Sequence, residues 1–177
     1  MHYGRIVALI GVALGIVGLA MPGLTSDGEE AMPAINQANP DFPDGIPTIW
    51  GGLDGWVQVL VVIVLVVVVA LAFRPPLKRP EDRISALTTT VLGVVFLAYA
   101  VVKYLDTVDD ADAVEAGFAQ AFELGLIPAA FTASAGVGFI VVFIGTGLVA
   151  IGGLLGFMAA TKDDDAPAAP AEGEAAA

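Results

Sequence analysis

Residues 136–156 read GVGFIVVFIGTGLVAIGGLLG, with glycine at 136, 138, 145, 147, 152, 153 and 156. Glycine in a helix interior costs about 1 kcal/mol relative to alanine in water. A run this long and apolar nevertheless reads as a membrane helix, because lipid offers no partner to backbone groups left outside a helix. The glycines then need a purpose, and close approach of helix backbones supplies one. On a helical wheel Gly138, Gly145, Gly152 and Gly156 fall within about 40° of one another and form one stripe. The N-terminal segment repeats the device: Gly4, Gly11 and Gly18 are spaced by seven, and Gly15 completes a Gly11-xxx-Gly15 pair. A seven-residue period suits a left-handed crossing of small angle, and close packing is the main attraction available in lipid. The expectation is that these two segments pack on each other inside one bundle. The alternative is that one stripe receives a helix from another protein. Gly136, Gly147 and Gly153 lie off the stripe and are free for a second contact.

The rest of the chain extends this reading. Of its 177 residues, 57% are hydrophobic and only 15% charged, against about a quarter charged in soluble domains. The mean hydropathy is +0.84. Four runs predict transmembrane helices, at about 4–21, 56–73, 85–102 and 133–160. The expected fold is an all-α integral membrane protein of four helices over residues 1–160, with outer loops at 22–55 and 103–132. Residues 161–177 form an acidic, low-complexity tail expected to be disordered. The second run lacks glycine and is dense in Val, Leu and Ile, so it is expected to face lipid or a broad partner groove.

Basic residues set the expected topology. The link RPPLKRPEDR carries Arg74, Lys78, Arg79 and Arg83, which the positive-inside rule assigns to the cytoplasm. Arg5 before the first run and Lys162 after the fourth agree, so both termini are expected inside. The link's bases are suited to anionic lipid headgroups or to an acidic cytoplasmic partner. The two outer segments hold six acids each, and residues 22–55 hold no Lys or Arg. Trp50 and Trp56 fit an outer aromatic belt. The first run also has signal-peptide features, with small residues at Gly18 and Ala20; cleavage would leave three spans. The expectation is an uncleaved helix.

Within TVDDADAVEAGFAQAFELG, Ala111, Val114, Phe118, Ala121, Phe122 and Gly125 share one helical face. A short extracytoplasmic amphipathic helix is expected from about Val108 to Leu124, capped by Thr107, with Val114, Phe118 and Phe122 on its contact face. Membrane-surface helices are usually basic and this one is acidic, so protein contact is the expected use.

Several function classes are disfavoured. A net charge of −12 argues against nucleic acid. The chain has no cysteine and one histidine, His2, so Cys- or His-based metal sites are not expected. Asp41, Asp44 and Asp54 lie in a Pro/Gly-rich loop without an EF-hand pattern, and read as a solvated turn region. Ionisable residues are absent from the middle of every run; Arg5 and Lys103 sit at ends, where long side chains snorkel. That disfavours an autonomous ion-coupled pump. No catalytic motif is present, so the chain is expected to be non-enzymatic and to need no cofactor. Thr88, Thr89, Thr90 and Thr146 are expected to bond their own helices rather than line a pore.

Four spans with inner termini and two outer segments resemble tetraspan proteins such as claudins, although Trp50 and Trp56 stand without the paired cysteines of that signature. The stretch TASAGVGFIVVFIGTGLVAIGGLLG and the Ala/Asp-rich tail resemble small four-span membrane proteins of actinobacteria. The resemblance implies an accessory subunit of an envelope lipid importer of the Mce type, or of a respiratory complex, in a bacterial plasma membrane. Its partners would be other integral membrane subunits and the lipid bilayer. A self-assembling small channel is the rival expectation from the residues alone.

Overall fold

A computed structural model describes residues 2–75 and 82–164. The fold is mostly helical, built on helices α1 (Tyr3–Leu19), α2 (Met32–Ala38), α3 (Gly55–Phe73), α4 (Arg83–Glu123) and α5 (Gly138–Asp164). A short strand β1 (Leu24–Ser26) pairs antiparallel with β2 (Ala133–Ala135), aligning Leu24 with Ala135 and Ser26 with Ala133. Three helices are long and apolar enough to cross a membrane: α3, α4 and α5. α1 is apolar but has 17 residues, about 26 Å at 1.5 Å per residue.

α5 is the central helix. α1 lies antiparallel along one side of it and α4 along another. The α1–α5 seam is built from backbone on backbone. A Cβ added at Gly4 would lie 2.6 Å from the Gly152 carbonyl oxygen and 2.9 Å from the Gly156 nitrogen. One added at Gly11 would lie 2.5 Å from the Gly145 oxygen, and one at Gly18 would lie 3.0 Å from the Gly138 oxygen. Each step of seven along α1 is thus matched by a step of seven backwards along α5. Gly15 presents its nitrogen to Gly145, whose added Cβ would meet it at 2.5 Å. A second seam joins α4 to α5, where Gly93 meets Ala150 and Gly153 meets Thr90 and Ala86. Gly147 faces open space.

α3 stands at the periphery. Only Val57, Val61, Val68 and Ala72 of its residues are buried; Val64, Leu65 and Val69 are partly buried against the body, and Val59, Leu60, Val62, Ile63 and Val66 face outward. Branched residues keep a neighbour's backbone at a distance, so α3 packs by side chains where α1 and α4 pack by glycine.

The outer amphipathic helix expected at 108–124 is not a separate element. It is the far half of α4, which runs unbroken for 41 residues. Two features explain the continuity. No glycine or proline interrupts residues 94–116. Thr107 does not cap a new helix: its hydroxyl donates back to the Lys103 carbonyl at 2.8 Å, and Lys103 pairs with Asp106 at 3.1 Å across one turn. α4 ends where Gly125 adopts φ +70°. There Leu126 N–H bonds the Ala121 carbonyl and Gly125 N–H bonds the Phe122 carbonyl, the paired bonds of a Schellman stop.

Residues 22–49 are not simply irregular. They form a cap against the far half of α4, with Met32, Ile35 and Phe42 packed on Val114, Phe118, Ala121 and Ile127. Phe118 is fully buried, edge-on to Phe42 at 5.4 Å and to Phe131 at 5.5 Å. Phe42 also lies directly on the backbone of Gly117. Three chain segments are stitched beneath this cap: Gly23 N–H bonds Pro47 O at 3.0 Å, Ile49 N–H bonds Met21 O at 2.9 Å, and Gly136 N–H bonds Gly23 O at 2.7 Å.

Candidate functional site

The glycine residues singled out by spacing are spent on the fold. Gly4, Gly11, Gly15 and Gly18 of α1 meet Gly138, Gly145, Gly152 and Gly156 of α5 within the chain. The two stripes are therefore packed on each other, while the Cβ side of Gly15 faces open space.

The basic end holds a different arrangement from the one expected. Arg5 does not snorkel: it is 4% exposed, and its Nη1 donates to the carbonyls of Ala72 and Arg74. Those carbonyls belong to the last turn and C-cap of α3, where a cation satisfies orphan acceptors and complements the helix dipole. The short approach of α1 to α5 carries Arg5 inward, and the end of α3 supplies acceptors where solvent would have been. Arg74 pairs with Asp82 at 3.4 Å, and Asp82 caps α4 by accepting from the Ser85 hydroxyl at 2.6 Å and the Ser85 amide at 3.3 Å. The Ser85 hydroxyl bond is the main cause holding the Asp82 carboxyl below its ordinary value; burial opposes it, and the Ser85 amide and Arg74 add to it. Arg83 opens α4, while Lys78 and Arg79 lie outside the described residues. His2 caps α1, its Nδ1 accepting from the Gly4 amide at 3.2 Å.

On the far half of α4, Val114 and Phe118 are buried by the cap. Phe122 is not. It is 47% exposed, and Leu124 (67%) and Leu126 (48%) are exposed beside it in sequence. The face predicted as one contact surface divides: its first part holds residues 22–49, and its last residue stands at an apolar tip. The division arises because α4 stops at Gly125, where the chain turns back and Ile127, not Phe122, enters the core.

A cleft, not anticipated from the sequence, lies between α3 and the body formed by α1, α4 and α5. It encloses about 750 Å³ of empty space, its open side included. Val64, Leu65, Leu92 and Phe96 line it with Tyr99, and Lys103 stands at its end. The Tyr99 hydroxyl is buried and has no hydrogen-bond partner among the described residues. Next to this cleft lies a second open pocket of about 510 Å³, its open side included, whose polar lining comes from Thr48, Lys103, Asp106, Thr107 and Asp110. Ile49, Leu53, Lys103 and Phe139 line both. Only long-range packing brings residues 47–53 against α4, so no local motif announces the cleft. The hint available was negative: α3 has no glycine after Gly55 and cannot close tightly on its neighbours.

The span threonines bond their own helices, as expected from the sequence. Thr88, Thr89, Thr90 and Thr146 donate to Ile84, Ser85, Ala86 and Val142 carbonyls of their own helices. Among the described residues no three acidic or histidine side chains converge as a metal site, and Asp41, Asp44 and Asp54 do not come together as one.

These features define a helical protein with three helices able to cross a membrane, a glycine-sealed core and a folded acidic cap. No family model, curated protein or solved structure matches the chain.

Proposed function

We propose that the chain is a non-enzymatic accessory subunit of a larger membrane complex, with an envelope lipid transporter as the complex it best suits. In this reading α1 is a fourth span alongside α3, α4 and α5, both termini are cytoplasmic, and the acidic cap projects outside a bacterial plasma membrane. The observation that carries the partner reading is the apolar tip Phe122, Leu124 and Leu126. Lys103 stands twenty residues after Arg83, about 30 Å, one hydrocarbon thickness. Phe122 lies nearly as far again beyond Lys103, out of reach of lipid. Large apolar side chains exposed in water at the end of a rigid helix mark a protein contact. Self-assembly into a channel is disfavoured, because the α1–α5 and α4–α5 seams are closed by backbone contact and the span threonines are internally bonded.

The test is extraction in mild detergent with a C-terminal tag, comparing the native chain with a Phe122→Ser, Leu124→Ser, Leu126→Ser variant. Stoichiometric recovery of the same membrane subunits with the native chain, and their loss with the folded variant, is expected. Recovery of the chain alone, as monomer or homo-oligomer, would overturn the reading.

A further inference from the structure

Climbing α4 from the cleft into the adjoining pocket, the larger lining residues include Leu92, Phe96, Tyr99, Lys103, Asp106 and Asp110. Their spacing of three and four keeps them on one face of the helix. Their chemistry changes in order: hydrocarbon, then a hydroxyl donor, then a cation, then carboxylates. Tyr99 precedes Lys103 by one turn, about 6 Å, and Asp110 follows Lys103 by two, about 10 Å.

A phospholipid bearing a primary amine has the same order along its length: acyl chain, ester carbonyl, phosphate, ammonium. We infer that the cleft and the pocket above it bind one phospholipid of the ethanolamine type, with its chain between α3 and α4. Its ester accepts from Tyr99, its phosphate meets Lys103, and its ammonium meets Asp110 and Asp106.

Three observations commit the site to this occupant. First, the Tyr99 hydroxyl is buried without a partner among the described residues, and buried phenols are ordinarily bonded. The accessible surface of the cleft is wholly apolar, so the Tyr99 ring must turn for an acceptor in the cleft to reach this hydroxyl. Second, Lys103 lies one hydrocarbon thickness from the basic end of α4, the depth of the outer headgroups. Lys103 already pairs with Asp106, so the protein holds at this depth a cation and an anion that a zwitterion can bridge. Third, the carboxylates exclude a purely anionic headgroup, since Asp106 and Asp110 would repel a second negative charge. They also favour a primary ammonium, which donates hydrogen bonds, over a quaternary one, which does not.

The inference rests on the membrane-spanning reading but not on the partner. It is tested by delipidating the full-length protein in detergent and measuring retention of dioleoyl phosphatidylethanolamine, phosphatidylcholine and phosphatidylglycerol by native mass spectrometry. Circular dichroism establishes that each variant is folded. The ethanolamine lipid is expected to be retained about tenfold better than the other two, the ratio one charge-assisted contact supports. Asp110→Asn is expected to bring that preference close to unity, whereas Lys103→Gln, which removes the cation facing the phosphate that all three share, is expected to weaken all three without changing their order. Tyr99→Phe should weaken all three lipids without changing their order, a result a merely structural tyrosine would not give. Equal retention of the three by the native chain, or a preference unchanged in Asp110→Asn, would overturn the site. Release of the protein from membranes by alkaline carbonate would overturn the spanning reading instead. A carbonate-resistant protein with no lipid preference overturns the lipid site alone.

Discussion

Gly11 and Gly147 sit on the same type of apolar helix and face opposite circumstances. A Cβ at Gly11 would meet the Gly145 carbonyl and the Val149 nitrogen at 2.5 and 2.7 Å, whereas one at Gly147 meets nothing within 4 Å. Gly11→Val is expected to destabilise the bundle by about 1–3 kcal/mol, the usual range for overpacking. Gly147→Ala is expected to be neutral or to stabilise by up to about 1 kcal/mol. Thermal unfolding in detergent distinguishes the two, and equal melting temperatures would show that the seam does not hold the fold. Arg5 makes a second residue-scale case. Arg5→Met removes the donor to Ala72 and Arg74, and an expected loss of about 1.5–3 kcal/mol follows from a hydrogen bond to a charged group. Arg5→Lys should recover only part of it, because an ammonium lacks the planar fork of donors.

At the scale of elements, α4 is the feature that sequence periodicity divided and the structure joined. An apolar segment followed by an acidic amphipathic one reads as two helices, because the pattern of apolar and charged residues changes at residue 103. The backbone has no reason to stop there, since nothing between Gly93 and Gly117 breaks a helix. Val108→Pro is therefore expected to disrupt the cap far more than a proline at an inter-helix loop would, read as faster proteolysis of residues 22–49. The start of α4 carries a pH dependence. The Asp82 carboxyl is held below its ordinary value, so its stabilising contribution is complete above about pH 4. It is lost as pH falls through the lowered folded value. Asp82→Asn is expected to remove that acid-side fall in melting temperature. An unchanged pH profile would show that the cap does not contribute.

For the whole molecule, the glycine seams join α1, α4 and α5 into one body, and the cap is folded onto the far half of α4. A cysteine-free chain allows the proposed topology to be read directly. With Asp112→Cys and Lys162→Cys introduced singly, a membrane-impermeant maleimide applied to intact cells is expected to label the first and not the second. Labelling of Lys162→Cys alone would invert the orientation.

Helix type, the rough positions of the long apolar helices and the α1–α5 stripes were legible because they are written at short range, in hydropathy and in a spacing of seven. Lipid has no other way to satisfy a backbone, so Val-rich runs become helices whatever their propensity in water. Gly93, Gly117 and Gly28 carried no such mark; their meaning lies in Ala150, Phe42 and Phe131, partners remote in sequence. The burial of Arg5, the division of Phe118 from Phe122 and the cleft beneath Lys103 likewise depend on which surfaces meet. Periodicity shows which face of a helix is apolar, but only packing selects what covers it, and that choice belongs to the tertiary structure.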